Sequence, residues 1–189
     1  MNHIGISCGH HDAGISLIDD KGNILFAAHS ERYSKIKNDA NLNYDIINDC
    51  LKYRTEDKTT VSFYERPLVK LTRQLISGEP INLNSLQVKK IIGPELLQMI
   101  KGQNPVQCFS HHLSHAAAAF QISPYDHATV IVIDAIGEWD TISIWTAHYD
   151  HNGYAKYKKL YSVAISVLAL VVGHSVFAAG SIPVGPGPL

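Results

Sequence analysis

The chain has 189 residues, 46% of them hydrophobic, with a formal net charge of -1. That suffices for one medium domain or two small halves around a real core. The near-zero charge argues against nucleic acid as a partner, and the small basic group Lys156, Lys158 and Lys159 reads as a solvated strand or loop.

From the amino terminus, "HIGISCGHHDAGISLIDDKGNILFAAHSE" reads as three strands joined by the turns "CGHHDAG" and "DDKG", a β-meander. The opening residues lack the basic and long apolar regions of a signal peptide. "NLNYDIINDCLKY" places Ile46, Ile47, Cys50 and Leu51 at helical intervals behind an asparagine cap. "TVSFYE" follows as a short strand, and "RPLVKLTRQLIS" as a helix with proline in its first turn. "SLQVKKIIGPELLQMIK" gives helical pieces interrupted at Gly93-Pro94, and "PVQCFS" reads as a buried strand. Ser110 can cap a helix over "HHLSHAAAAFQ", which "SPYDH" stops. "ATVIVIDAIGEWDTISIWTAHY" then gives two strands around a glycine turn. Cys8, Cys50 and Cys108, odd in number and far apart, fit reduced thiols in a cytoplasm better than a disulfide framework.

The two hairpins "IGISCGHHDAGISLI" and "VIVIDAIGEWDTISIW" echo each other as strand, acid-and-glycine turn, strand. Such turns can hold anions on successive backbone N–H groups, so the pair could hold a phosphorylated ligand. Two unrelated hairpins are the alternative.

His111 and His115, at i and i+4, share one helix face about a turn apart, a spacing that suits borderline divalent metals such as zinc or iron; His112 points elsewhere. Asp134, closing the apolar strand "VIVID", is the expected third ligand. The plainer alternative makes the histidines hydrogen-bonded helix residues and Asp134 a turn cap. His11 beside Asp12 suits a general base whose tautomer the acid fixes, or an ordinary polar loop. Glu31 and Arg32 follow the third strand, where arginine can clamp a phosphate or carboxylate or merely form a surface pair. Glu138 sits in the second turn beside Trp139 and Asp140.

Taken in order, "GHHDAGISLI", "SERYSKIKND", "FYERPLVK", "HHLSHAAAAF", "SPYDHATVIVID" and "GEWDTISI" resemble the amino-terminal part of the O-carbamoyltransferases of nodulation-factor and antibiotic biosynthesis, over about residues 2–161. The resemblance implies an α/β, actin/hexokinase-like (ribonuclease H-like) fold in two halves. The first half would be complete over 1–125 and the second would open with a hairpin and strand over 126–162. It implies ATP and carbamoyl phosphate as co-substrates that form a carbamoyl-adenylate, and a small hydroxylated molecule as acceptor. His111, His115 and Asp134 match metal-binding positions, for iron or alternatively zinc or manganese. His11 matches the histidine of the first-turn motif and, with Asp12, would act on the carbamoyl group. Glu31, Arg32 and Glu138 would lie on the cofactor side. Two departures stand out. Ala135 replaces the glycine usual after the strand aspartate, and nothing after "KKLYSV" matches the family's later glycine motif, further aspartate or adenylate-forming domain.

The expectation is therefore that residues 163–189 are an apolar, family-unlike tail, and that the chain alone does not carbamoylate. The expected reading is the carbamoyl-transfer domain of an O-carbamoyltransferase, inactive because its second half is cut short after the first hairpin by a frameshift or truncation. The alternatives are a non-enzymatic metal- or nucleotide-binding remnant and a module attached to a membrane through the apolar tail. Residues 160–189 carry no Asp, Glu, Lys or Arg and approach the roughly 20 residues of a membrane span, although His174 and several small polar residues argue against one.

Overall fold

The computed structural model describes residues 1–81, 83–101 and 105–164. They fall into two compact units, Met1–Phe109 and the residues from Ser110 onward.

In the first unit, β1 (Asn2–Ser7), β2 (Gly14–Ile18) and β3 (Ile24–His29) form the meander, and β4 (Thr59–Phe63) and β5 (Val106–Cys108) complete a five-stranded sheet in the order β3-β2-β1-β4-β5. The first three strands pair antiparallel, whereas β4 and β5 run parallel to β1. Period-two alternation puts Ile4, Ile6, Ile15, Leu17, Val61 and Phe63 on one buried face. Ile46, Ile47 and Cys50 of α2 (Tyr44–Lys52) cover it, joined by Ile92 of α4 (Val88–Ile92) and by Leu97 and Ile100 of α5 (Pro94–Lys101). The short α1 (Glu31–Ser34) follows β3, and α3 (Pro67–Ser77) carries its proline in the first turn. Asn43 caps α2 as expected, its side-chain oxygen accepting the Ile46 N–H at 3.1 Å. β5 departs from expectation: it pairs only with β4 and is largely exposed, because a three-residue strand at a sheet edge has one neighbour to cover it.

The second unit is smaller. β6 (His127–Gly137), β7 (Asp140–Tyr149) and β8 (Ala155–Ala164) form an antiparallel sheet, so each unit holds a three-stranded meander. Helix α6 (His111–Gln121) buries His112, Ala116 and Phe120, one stripe at i, i+4, i+8. That stripe packs with Ala128, Val130 and Val132 of β6 and Trp145 and Ala147 of β7. The alanines let helix and sheet approach closely. Ser110 occupies the N-cap position of α6, but its side chain makes no capping bond.

Candidate metal centre

Asp134 stands where the regular pairing of β6 with β7 ends. Ile133 pairs with Ile142 and Gly137 with Asp140, so three residues of β6 span a stretch that β7 covers with one. Alternation along "VIVID" carries Asp134 on the same face as Val130 and Val132, the face on which α6 packs, and the bulge begins just after Ile133. Its Oδ1 accepts the N–H of Ala135 at 2.7 Å, which fixes the carboxylate and leaves Oδ2 to face α6.

Across from it, Oδ2 stands 2.8 Å from Nε2 of His111 and 3.7 Å from Nε2 of His115, and the two imidazole nitrogens are 3.0 Å apart. Two donors bound at about 2.0–2.2 Å to one tetrahedral ion stand roughly 3.3 Å apart, so the three atoms already bracket the required separation. They form the candidate metal group among the described residues, with His115 exposed and the other two half-buried. Hydrogen bonds from His111 first, and then from His115, hold the Asp134 carboxyl well below the usual carboxylate range. Asp134 is therefore an anion throughout the neutral range. Two imidazoles and a carboxylate suit zinc, iron or manganese and leave coordination positions open.

Gly137 closes the other side. A Cβ there would lie 2.6 Å from Cδ2 of His111 and 2.7 Å from Cδ2 of His112, so only a bare Cα lets both rings approach. Glu138, the next residue, is buried in the β6–β7 turn with a left-handed φ of +55°.

His112 was not expected to take part. It is buried, and its Nδ1 lies 2.6 Å from the Ser143 hydroxyl, which also accepts the indole N–H of Trp145 at 2.7 Å. Its Nε2 is buried without a hydrogen-bond partner among the described residues. An unmet polar atom of this kind costs about 1–3 kcal/mol. Burial pushes the imidazole below the usual histidine range, while Asp140 and Asp134 pull it upward less strongly. The signal was present in the sequence. Alternation in "TISIWTAHY" puts Ser143 on the same face as Trp145 and Ala147, and His112 lies on the helix stripe of Ala116 and Phe120.

The remaining predicted residues belong to the first unit. His11 Nδ1 and Asp12 Oδ2 are 2.8 Å apart in the β1–β2 turn, with His11 exposed and Asp12 in the left-handed region at φ +50°. Glu31 and Arg32 open α1, their charged groups 4.0 Å apart and Arg32 largely exposed. The structure thus brings together His111, His115 and Asp134 in one unit, and pairs His11 with Asp12 in the other.

The comparisons with known proteins can be set beside this geometry. The family profile described as Carbamoyltransferase N-terminus matches residues 64–186. The chain belongs to that family. The match takes in residues 163–186 of the segment that the sequence alone set apart as a tail. The chain is 34% identical over 169 residues to protein sll1178 of Synechocystis sp., covering 77% of this chain and 27% of the relative. It is 28% identical over 138 residues to nodulation protein NolNO of Sinorhizobium fredii, covering 68% of this chain and 20% of the relative. The chain therefore spans 27% and 20% of the length of these two relatives. Among solved structures, YeaZ from Pseudomonas aeruginosa aligns with 93% of this chain and 71% of its own at 10% identity and a TM-score of 0.44.

Among the described residues no helix is long and apolar enough to cross a membrane. The segment considered above as a span lies, from residue 165 onward, outside the described residues.

Proposed function

We propose that the second unit holds the divalent-metal centre of a carbamoyl-transfer site, with His111, His115 and Asp134 as its ligands. The observation that carries this reading is the convergence of two imidazole nitrogens and one carboxylate oxygen within 4.8 Å of one another, in a chain of the carbamoyltransferase family. A bound ion would supply Lewis acidity and charge neutralisation toward an anionic co-substrate. The protein's part is to hold the ligands. Strand alternation carries Asp134 on the α6 side of β6, the helix spacing aligns the two imidazoles, and Gly137 admits the rings of His111 and His112.

The co-substrates proposed from the family resemblance are ATP and carbamoyl phosphate, with a hydroxyl of a small molecule as acceptor. From the same resemblance, His11 and Asp12 are proposed as catalytic residues for the carbamoyl group, and Glu31, Arg32 and Glu138 as cofactor-binding residues. The order β3-β2-β1-β4-β5 and the repeated meander support an actin/hexokinase-like architecture.

Incubating the metal-loaded chain with ATP, carbamoyl phosphate and a panel of hydroxylated acceptors tests the reading. A carbamate ester whose formation needs Asp134 supports transfer at this centre. A bound ion without ester agrees with the expectation that these residues do not complete the reaction alone. A chain that takes up no ion contradicts the reading.

A further inference from the structure

Nε2 of His112 is buried and takes no part in the metal reading. Trp145 can only donate through its indole N–H, so the Ser143 oxygen is the acceptor of that bond. The Ser143 proton then needs an acceptor. Among the described residues the other partner of this hydroxyl is Nδ1 of His112, at 2.6 Å. Donation from Ser143 to Nδ1 satisfies both groups and puts the imidazole proton on Nε2. The reverse arrangement would strand a buried hydroxyl proton. The order Trp145, Ser143, His112 is thus a directed chain ending in an N–H.

That N–H has a definite neighbourhood. The position of a Cβ on Gly137 would be 2.7 Å from Cδ2 and 3.0 Å from Nε2 of His112, and 2.6 Å from Cδ2 of His111. The Cδ2–Nε2 edges of the two rings therefore meet over the same bare Cα, and the His111 edge is the one whose Nε2 faces Asp134. The ring centroids of His111, His112 and His115 form a triangle with sides of 4.7, 6.2 and 6.5 Å. A donor on a ring 6.2 and 6.5 Å from the two ligating rings suits an oxygen anion drawn to the ion.

We propose that His112 is a ligand-binding residue, whose Nε2–H, fixed by the Ser143 hydroxyl, donates to an anionic oxygen of phosphate or carboxylate type bound at the His111–His115–Asp134 centre. This rests on the metal reading, but it concerns the ligand and leaves the ion's own affinity to the triad. Its separation from the ligand set explains why one motif carries three histidines.

Two measurements on the full chain test it. Imidazole nitrogen chemical shifts from long-range proton–nitrogen NMR distinguish the tautomers without metal or ligand. The result expected is a protonated Nε2 on His112, and a protonated Nδ1 would overturn the proposal. Cobalt(II) titration followed by inorganic phosphate then separates ion from anion. His112→Phe should leave cobalt affinity within about twofold, while phosphate affinity of the loaded chain falls about ten- to hundredfold, as for one lost bond to a charged group. His112→Gln, which returns an N–H near the same place, should recover part of it. Unchanged phosphate binding in a folded His112→Phe chain would overturn the proposal and leave the metal reading standing. Failure of the unsubstituted chain to bind cobalt would remove both.

Discussion

Gly137 lies against His111 so closely that a methyl group on its Cα would stand 2.6 Å from the imidazole Cδ2. His111 is tied to Asp134 and His112 to Ser143, so neither ring can yield without losing a partner. Gly137→Ala should therefore cost about 1–3 kcal/mol, as overpacked sites do, and should weaken metal binding in the same variant. Urea unfolding and metal titration of one preparation read both. Native stability with full metal affinity would show that the site accommodates the methyl group.

Acid should destabilise the fold through His112. Its pKa is lowered on folding, so the unfolded chain takes up a proton below about pH 6.5 that the folded chain resists, and stability falls as the pH drops. Asp134 is also depressed, and its contribution is present above about pH 3.9 and lost as the pH falls further. Urea midpoints between pH 8 and 5 should decline more steeply for the unsubstituted chain than for His112→Gln. Parallel curves would mean that His112 titrates alike in both states.

The thiols should divide by burial. Burial, and then the Glu65 charge, pushes Cys8 up to about 12, and burial pushes Cys50 up to about 11, while Cys108 is exposed. A colorimetric thiol reagent should modify one cysteine of the three in native buffer and all three in denaturant. Rapid modification of three in native buffer would contradict the packing of α2 on the sheet.

The cap of α2 offers a local test. Asn43→Ala should lower stability by about 1 kcal/mol, and Asn43→Asp should retain most of it. Identical unfolding midpoints for Asn43→Ala and the unsubstituted chain would show the Ile46 N–H satisfied in another way.

Much of this architecture was legible in the sequence. The meander, the capped α2, the Pro67 start of α3, the break at Gly93-Pro94 and the His111–His115 spacing rest on local chemistry, which short windows contain. The approach of Asp134 to the two histidines was legible because a carboxylate ending an apolar strand needs a partner. What pairs with what across the sheet was not. The break in the pairing of β6 with β7 beyond Ile133 depends on the register of the two strands, and the exposure of β5 depends on its edge position. The role of His112 depends on Ser143, 31 residues away and brought close by the packing of α6 on β7.

The central claim is that His111, His115 and Asp134 together bind one divalent ion. Calorimetric titration of the purified chain with zinc, manganese and, anaerobically, ferrous iron tests it most directly, with His111→Ala, His115→Ala, Asp134→Asn and His112→Ala run in parallel. The account predicts one ion per chain, a loss of at least about tenfold in affinity for each of the first three variants, and a change within about twofold for His112→Ala. Equal losses in all four, or an ion retained when Asp134 is replaced, would contradict it.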